Sequence, residues 1–503
     1  MSSPPKDEVV CPTRTDMKKY WEVNAKNSSI EEMMLDTNAK VLTQRDHPEV
    51  MAILPNITGL RVLELGAGIG RFTGDLATCA AHVTAVDFID EYIKKNEQEN
   101  GVKYPNIDFQ CGDATVIQFN PGEFDVVFSN WLLMYLTDNE VQALANNMLR
   151  WIKPGGYIFF RESCFRSSGN IKPGSNPTQY RSLGAYQSFF ESAVEPIGDG
   201  RSYSLEFVVA KNIHAYVEQK GNPNQICWLW HKIVKPANVV SMFRIFLDSD
   251  QYSFERILCT EKLFGNDGYV CPGGSDVAKN MAGKVDLQTG KKVLEVGSGM
   301  GRGALYMAQT FNVDITGVDL SVNMSHLAFE MLDKVKLKNY SQQIHFEISD
   351  IIARDYPEQS FDAVISRDTL MHITDKKMLL SKLYAWLKPK SRIVITDYCL
   401  GTNESVQDHK MYLEKMKYNL VSVDDYLQVF TSAGFSDISF SDNTAQFIQY
   451  ITKDLQRAEE CKDEFLKDFT EECYQETVSA WKTQLKYFTS GSQSWVEFSA
   501  CKK

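Results

Sequence analysis

The sequence predicts an α/β protein with two tandem Rossmann-like domains, each a mostly parallel, doubly wound sheet with an antiparallel edge and a helical lid. One observation is a repeated stretch, VLELGAGIGR from Val62 and VLEVGSGMGR from Val293. The other is the alternation of strand-like and helix-like segments, which follows each copy in the same order. Because the matching motifs keep a nearly constant offset, we infer a domain duplication and not a solenoid repeat.

The length of 503 residues is enough for two domains that each bury a sizeable core. The pattern predicts a flexible tail over residues 1–15 and a first domain over 16–235. A linker is expected over 236–250, where the pattern resets, and a second domain over 251–503.

Composition excludes several classes of function. The 53 Lys+Arg and 65 Asp+Glu residues give a net charge of −12 without a basic cluster, so neither nucleic acid nor membrane insertion is expected. The 11 cysteines show no C-x-x-C pair or metal-ligand spacing, and the N-terminus does not resemble a signal peptide. No apolar run approaches the roughly 20 residues of a membrane span. We expect a reduced, soluble, cytoplasmic monomer without a metal.

A helical pattern precedes the first core strand, from Met17 to about Leu42. Ser28 or Ser29 is a candidate N-cap within it. The segment could close over a site as a lid, or it could be a packed amphipathic helix, since the two look alike in sequence.

The repeated stretch reads as a buried strand, a tight turn and the start of a helix. Without Cβ atoms the turn can adopt unusual φ/ψ angles and let a ligand lie on the backbone. A dinucleotide fingerprint would place its third glycine at Arg71 or Arg302. The acid-x-Gly-x-Gly-x-Gly form, headed by Glu64 or Glu295, is instead similar to the first motif of S-adenosylmethionine-dependent methyltransferases. Its glycines are Gly66, Gly68 and Gly70 in the first copy and Gly297, Gly299 and Gly301 in the second.

Acidic residues end the next two strands of each half. Asp87 ends HVTAVDFID, and in an open α/β sheet this position lies beside the first turn, where it can bind the two ribose hydroxyls of an adenosyl group. Asp113 ends IDFQCGD, where methyltransferases commonly hold the adenine amine. The second half repeats these acids as Asp319 and Asp350.

The remaining strands complete each sheet. A fourth strand, FDVVFSN, ends at Asn130, and a fifth, WIKPGGYIFFRES, ends at residues 161–163. We expect LEFVVAK and NQICWLWHKI to form the antiparallel edge of the first half. AQFIQYI with SWVEFSACKK is the expected edge pair of the second half, with a charged helical insertion from Lys453 to Tyr487.

The residues after strand four face the reacting centre, because ligands in such sheets lie beyond the carboxyl ends of the strands. His372 and Tyr135 occupy matching positions there, and both can take a proton from a nucleophile. The alternative for His372 is a satisfied structural histidine, and Trp131 could be a wall of the site or part of the core. The predicted cofactor contacts at these strand ends are Ser129, Asn130, Arg367 and Asp368.

The whole chain resembles the tandem, two-domain phosphoethanolamine N-methyltransferases of plants and some animals. In the first half the resemblance rests on EEMMLDTNA, VLELGAGIGRFTG, FSNWLLMYL, WIKPGGYIFFRESCF, SNPTQYR and NQICWLW. In the second half it rests on FLDSDQY, GGSD, GVDLSVNM, SRDTLMHI, WLKP, VITDYC and DEFLKDF. The resemblance implies three methyl transfers from S-adenosylmethionine, taking phosphoethanolamine to phosphocholine. It also implies that the first half performs the first step and the second half the later ones.

The resemblance implies further roles. Tyr252 and His372 would deprotonate the amine in the second half, with Tyr20 as the counterpart of Tyr252 in the first. The phosphate would be bound in the first half by Tyr180 and Arg181. The second half keeps three tyrosines of the family pattern, namely Tyr398, Tyr412 and Tyr418.

The second half departs from the family pattern around the phosphate. Met416 stands where the pattern has an arginine and Gln484 where it has a lysine, while Thr260 replaces a tyrosine and Cys271-Pro272 a hydroxyl pair. Two alternatives therefore stay open. In the first, the second half binds S-adenosylmethionine but methylates another acceptor or acts as a regulatory domain. In the second, the duplication is a non-enzymatic scaffold, which the complete donor sites disfavour.

Overall fold

A computed structural model describes residues 14–24, 29–171, 177–236, 242–265, 267–334, 343–403 and 407–503. The chain divides into two compact units, Met1–Val240 and Ser241–Lys503. The expected tail up to residue 13, the candidate cap Ser28 and linker residues 237–241 lie outside the described residues.

The first unit is built on one mixed sheet. Its strands are β1 (Arg61–Leu65), β2 (His82–Asp87), β3 (Ile107–Cys111), β4 (Phe124–Asn130), β5 (Ile152–Ser163), β6 (Val194–Gly198), β7 (Arg201–Asn212) and β8 (Gln225–Pro236). They follow the order β3-β2-β1-β4-β5-β8-β7, and β6 pairs with β7. The strands from β3 to β5 are parallel, whereas β8 is antiparallel to both β5 and β7. The predicted doubly wound sheet with its antiparallel edge is confirmed.

The helices of the first unit flank this sheet. They are α1 (Arg14–Asn24), α2 (Ile30–Met34), α3 (Ala39–Met51), α4 (Thr73–Cys79), α5 (Asp90–Asn96), α6 (Asp138–Trp151), α7 (Leu183–Glu191) and α8 (His214–Lys220). The N-terminal helical pattern is thus divided among three helices. Ser29 caps α2 by accepting the Glu32 N–H at 3.2 Å, and Leu35 ends α2 in the left-handed region.

The second unit repeats the sheet. Its strands are β9 (Lys292–Val296), β10 (Asp314–Asp319), β11 (Ile344–Ile348), β12 (Phe361–Arg367), β13 (Leu387–Leu400), β14 (Ser436–Asp442) and β15 (Gln493–Cys501). Their order is β14-β15-β13-β12-β9-β10-β11, with β15 antiparallel to both neighbours.

One strand prediction for the second unit is wrong. The edge strand beside β15 is β14, and AQFIQYI lies inside helix α17 (Thr444–Glu460). In AQFIQYI the buried residues are Phe447 and Ile451, four positions apart, which is the spacing of one helix face and not of a strand. The expected helical insertion before the last strand is present.

The helices of the second unit include a pair joined by a disulfide. They are α9 (Met242–Phe246), α10 (Phe254–Phe264), α11 (Gly274–Ala282), α12 (Arg302–Phe311), α13 (Val322–Lys334), α14 (Lys376–Trp386), α15 (Gln407–Met416), α16 (Val423–Ala433), α17, α18 (Lys462–Phe465) and α19 (Glu471–Thr489). Cys259 on α10 is bonded to Cys473 on α19. The expectation that all cysteines are reduced is therefore wrong for this pair, because packing of α10 on α19 joins residues that are far apart in sequence.

Apolar side chains of helices and strands form the core on both faces of each sheet. Fully buried residues include Val62 on β1 and Val126 on β4 in the first unit, and Leu294 and Val364 in the second. None of the helices in the described ranges is both long and apolar enough to cross a bilayer.

Candidate active site

The glycine turn after β1 lines the pocket of the first unit. Gly66, Gly68 and Gly70 all have positive φ, which favours glycine. A Cβ atom at Gly70 would fall on the side-chain amides of Asn96 and Asn100. The turn is therefore packed against the end of α5, and its Gly66 N–H donates to the Val86 carbonyl.

Three acids line the same pocket as this turn. Glu64 is buried and accepts the Thr73 hydroxyl at 2.6 Å, and burial raises the pKa of its carboxyl to about 8. Asp87 accepts the Gly68 N–H at 2.8 Å, and burial raises its pKa to about 6. Asp113 accepts the Thr115 N–H at 2.9 Å. The sequence thus identified three acids that the structure brings together.

The second unit repeats this arrangement. Gly297, Gly299 and Gly301 have positive φ, and the Gly299 N–H donates to Asp319 at 2.8 Å. Burial raises the pKa of Asp319 to about 6 and that of Glu295 to about 8. Asp350 accepts the Ile352 N–H at 2.9 Å, two residues beyond the end of β11.

Asp248 is a second acid beside Asp319 that sequence reasoning missed. It accepts the Ser321 hydroxyl at 2.6 Å, and its charge adds to the raised pKa of Asp319, of which burial is the main cause. It lies in a π-helical turn, Leu247–Gln251, ahead of the repeated motifs. Its motif FLDSDQY predicts a role for Tyr252 alone, and nothing in the sequence distinguishes Asp248 from other acids.

The N-terminal helices cover the pocket of the first unit. Met17 and Trp21 of α1 and Met33 of α2 line it together with the glycine turn. A Cβ atom at Gly68 would lie 2.6 Å from the Met33 sulfur. Of the two readings left open, this placement favours the helical lid.

Three predicted tyrosines of the first unit lie close together. Tyr135 and Tyr180 line the pocket, and Tyr20 lies beside Tyr180 in the same apolar cluster. Trp21 packs edge-on against both Tyr20 and Tyr135, with ring centroids 5.3 and 5.4 Å apart. Burial raises the pKa of Tyr20 to about 12 and raises that of Tyr135. These phenols are therefore neutral hydrogen-bonding groups at physiological pH.

The predicted tyrosines of the second unit line one pocket, which also holds Met416 and Gln484. Tyr418 is central: its ring centroid lies 6.1 Å from that of Tyr398 and 6.0 Å from that of Tyr412. The fourth lining tyrosine is Tyr252. The Gln484 side-chain amide donates to the Tyr398 hydroxyl at 2.8 Å. Neutral groups thus meet where the resemblance implied a lysine.

His372 packs against this tyrosine cluster. Its ring centroid lies 5.1 Å from that of Tyr418 and 5.6 Å from that of Phe243. Burial lowers the pKa of the imidazole to about 4, so the ring is neutral at physiological pH. A neutral imidazole has a lone pair that can accept a proton.

The structure gives Arg181 contacts that differ from the expected phosphate role. Arg181 is 7% exposed and is not among the residues that line the pocket. Its Nη1 donates to the Leu133 carbonyl at 2.9 Å and its Nε to Asp138 at 2.8 Å. These contacts direct the guanidinium to the turn after β4, and the phosphate role stays a prediction.

The polar residues at the end of strand four have mixed placements. Asn130 lines the pocket, whereas Ser129 is fully buried within the sheet. Arg367 donates to the carbonyls of Gly274 and Pro272 at 2.7 and 2.8 Å, which holds the loop before α11. Asp368 accepts the Trp495 indole N–H at 2.7 Å.

Two buried acids under the site were missed by sequence reasoning. Glu162, near the end of β5, is fully buried, and so is Asp397 on β13. Burial raises the pKa of Glu162 to about 8 and that of Asp397 to about 7. The only sign of them in the sequence is that FFRESC in the first half and VITDYC at the corresponding place in the second half each contain an acid.

The repeated glycine turns, the acids at the strand ends and the adjoining aromatic pockets define the class: an S-adenosylmethionine-dependent methyltransferase with two methyltransferase domains. Family models described as "Methyltransferase domain" match residues 62–156 and 287–455. The chain is 44% identical over 491 residues to phosphoethanolamine N-methyltransferase 1 of Triticum aestivum, covering 97% of both proteins. It is 45% identical over 489 residues to phosphoethanolamine N-methyltransferase 3 of Arabidopsis thaliana, covering 97% of this chain and 98% of that protein. The chain belongs to the phosphoethanolamine N-methyltransferase family.

Solved structures share the fold. Haemonchus contortus phosphoethanolamine N-methyltransferase 2, in complex with phosphomonomethylethanolamine and S-adenosylhomocysteine, matches with a TM-score of 0.74 and 24% identity, covering 92% of this chain and 99% of that one. Phosphoethanolamine N-methyltransferase 1 of the same organism matches with a TM-score of 0.74 and 22% identity, covering 97% of each chain. The predicted tandem methyltransferase fold is thereby confirmed.

Proposed function

We propose that the chain methylates phosphoethanolamine on nitrogen, through the mono- and dimethyl forms, to phosphocholine. Family membership over nearly the full length of the relatives supports this function. The observation that carries it is that predicted donor-site acids lie close to tyrosines in each unit. Glu64, Asp87 and Asp113 share a pocket with Tyr135 and Tyr180, and the charge of Asp319 acts on Tyr252. Aromatic rings suit a nitrogen that becomes a quaternary cation as methyl groups are added.

The donor site fits S-adenosylmethionine. A positive-φ glycine turn lets a ligand lie on the backbone, and the same pocket is lined by Asp87 and Asp113, which would bind the ribose hydroxyls and the adenine amine. When bound, S-adenosylmethionine supplies an activated methyl group on its sulfonium. The carboxylates of the chain orient the donor and favour its positive charge.

The acceptor amine must lose a proton before it attacks, since it is protonated near neutrality. In the second unit the neutral imidazole of His372 is the group that would take this proton, with Tyr252 beside the acceptor. In the first unit Tyr20 and Tyr135 would hydrogen-bond the amine. Because their pKa values are raised, they would orient the amine and would not serve as ionised bases.

We assign the first methylation to the first unit and the later ones to the second. The difference between Tyr135 and His372 supports a division of labour, because the two turns offer the amine different groups. A second candidate is that the second unit methylates a less anionic acceptor. The contact between Gln484 and Tyr398 favours it, since two neutral groups meet where the resemblance implies a lysine for the phosphate.

The test is a mass-resolved series of products from phosphoethanolamine and from its mono- and dimethyl forms. Asp87→Ala is expected to abolish only the first step and Asp319→Ala only the later steps. The controls Asp90→Ala and Asp355→Ala change exposed acids of the same units. If Asp319→Ala leaves every step unchanged, the second unit is not a phosphobase methyltransferase. If neither unit binds S-adenosylmethionine, the enzyme assignment is lost.

A further inference from the structure

In the first unit, a buried acid accepts hydrogen bonds from the backbone of the turn after strand four. It contains a 3₁₀ turn that ends at Tyr135. Glu162 accepts the backbone N–H groups of Leu132 at 3.0 Å, Leu133 at 2.7 Å and Met134 at 3.2 Å. Three donors of one turn thus converge on one carboxyl group.

A cation holds the carbonyls of the same turn. Arg181 donates to the carbonyls of Leu133, at 2.9 Å, and Leu136. The Gln179 N–H donates to the Met134 carbonyl at 2.6 Å. The turn is therefore clamped between an acceptor below it and donors beside it.

The second unit has a related clamp around the turn that ends at His372, in which the buried acid accepts one N–H of the turn in place of three. Asp397 accepts the Met371 N–H at 2.9 Å, and the Asn419 N–H donates to the Met371 carbonyl at 2.6 Å. The Lys376 ammonium donates to the carbonyls of Leu370 at 2.8 Å and Ile373 at 3.0 Å. The carbonyls of the two turns that receive the cation correspond in the repeated motif.

The two clamping cations come from different sequence positions. The Arg181 carbonyl accepts the Phe165 N–H. In the matching backbone contact of the second unit, the Val421 carbonyl accepts the Leu400 N–H. Valine therefore stands where the first unit has its arginine. Lys376 is instead the first residue of α14, and Asp138, the first residue of α6, forms an ion pair with Arg181 at 2.8 Å.

We propose that Lys376 and Arg181 are positioning residues of the methyl transfer, which fix the turn that presents His372 or Tyr135 to the acceptor nitrogen. The proposal rests on the proposed function, because that function places both side chains at the acceptor. In each unit the cation binds the two corresponding carbonyls, although it comes from a different sequence position. This indicates that the geometry of the turn matters, and not which residue fixes that geometry. A misplacement of about 1 Å at a reacting group can reduce turnover about 100-fold.

Lys376 also acts on His372 through its charge. Burial is the main cause of the lowered pKa of His372, and the positive charge of Lys376 lowers it further. The other groups that face the imidazole are the rings of Tyr418 and Phe243 and the Lys417 carbonyl, and Asp397 accepts an N–H of the turn. Loss of the ammonium should therefore raise the pKa of His372.

The test exchanges one clamp for the other. In an Asp87→Ala background, where the second unit supplies the remaining methylation, Lys376→Asp is expected to lower kcat on phosphomonomethylethanolamine about 100-fold, with little change in the Kd for S-adenosylmethionine. Adding Val421→Arg places a guanidinium at the position that corresponds to Arg181 and should restore most of the loss. Lys376→Arg should retain activity, and Val421→Leu is the control for a changed side chain at that site.

The proposal is overturned if folded Lys376→Asp keeps the parental kcat, or if the double variant regains its melting temperature but not its kcat. A second measurement does not depend on turnover. In ¹⁵N-histidine spectra, with His372 assigned from a His372→Gln sample, Lys376→Met should raise the pKa of His372 and shift its ring signals. An unchanged titration and unchanged shifts would contradict the proposal. A background that makes no product from any phosphobase would instead refute the proposed function, and the spectra would still decide the clamp.

Discussion

Asp87 and Asp319 accept the glycine-turn N–H at the same distance of 2.8 Å, and burial raises the pKa of each to about 6. Beyond strand four the two units differ, with Tyr135 in one and His372 in the other. The predicted donor residues thus keep the same geometry in the two units, whereas the predicted acceptor residues differ.

Both units have an arginine at the carboxyl ends of strands four and five, but it lies on a different strand in each unit. Arg161 on β5 is paired in register with Asn130 on β4, whereas the second unit has Arg367 on the fourth strand and Thr396 on the fifth. Each unit therefore keeps an arginine at this strand end, on one of two neighbouring strands. A substitution in one unit is therefore not expected to have the same effect as a substitution at the corresponding sequence position of the other unit.

The largest expected effect distinguishes the two acceptor sites. His372→Ala, in an Asp87→Ala background, should reduce methylation of phosphomonomethylethanolamine by about 10²- to 10⁴-fold, the usual contribution of a general base. Tyr135→Phe, in an Asp319→Ala background, should reduce methylation of phosphoethanolamine by only about 10-fold, the loss of about one hydrogen bond. Initial rates with a labelled methyl group measure both, and His345→Ala on β11 is the control. Equal losses would show that the two turns do the same chemistry.

The next effect is on stability and is specific to the first unit. Asp46 is fully buried and accepts from Arg71 at 2.5 Å and from Arg161 at 2.8 Å. Asp46→Ala leaves two buried cations without their partner, which should lower the free energy of unfolding of this unit by about 3–5 kcal/mol. Urea unfolding followed by hydrogen exchange of β1 and β9 measures each unit separately. The control is Asp75→Ala, whose side chain is 46% exposed. A loss shared equally by β9 would contradict a local effect.

A smaller effect separates two glycines of the donor turns. Gly299→Ala meets no atom within 4 Å but has a φ of +52°, which costs about 1–2 kcal/mol and should weaken S-adenosylmethionine binding about tenfold in the second unit. Gly70→Ala has a positive φ and also collides with Asn96 and Asn100, so the first unit should lose about 100-fold. Calorimetric titration gives both constants, and Gly155→Ala, at an open positive-φ turn, is the control. The comparison fails if both variants bind alike.

Much of the fold was predictable because its signals are local. The strand, glycine turn and helix of each unit occupy one continuous stretch, and Asp87 and Asp319 end the next strand, so spacing alone placed them. AQFIQYI is short and apolar, which is typical of a strand, although Phe447 and Ile451 lie on one helix face. Local periodicity thus decides most elements and fails for short runs.

The contacts of Arg181 could not be read from the sequence. A guanidinium can bind either a phosphate or a set of backbone carbonyls, and only the folded chain brings the Leu133 carbonyl to it. Glu162 and Asp397 stand in apolar strands, where nothing in the sequence shows that backbone N–H groups lie opposite. Side chains that serve the backbone of a distant turn are the part that required the structure.

The smallest expected effect tests whether the donor sites are equivalent. S-adenosylmethionine carries a positive sulfonium, which favours the carboxylate form of Asp87 or Asp319. Each acid has a pKa of about 6 in the free chain, so below that pH donor binding must release a proton. The affinity should rise with pH through this range and further toward pH 8, where Glu64 and Glu295 ionise. Titrations of Asp319→Ala and Asp87→Ala, in buffers of different ionisation enthalpy, measure this release in the first and second unit respectively.

The two pH profiles should coincide, since both acids have the same backbone donor and the same burial. S-adenosylhomocysteine, which lacks the sulfonium charge, is the control and should show a weaker dependence on pH. Profiles that differ in slope between the units would mean that the donor sites have diverged as well. Asp248, which lies beside Asp319, would then be the first residue to change, because its charge adds to the raised pKa of Asp319. Asp248→Asn should lower the pKa of Asp319 and move the second profile to lower pH.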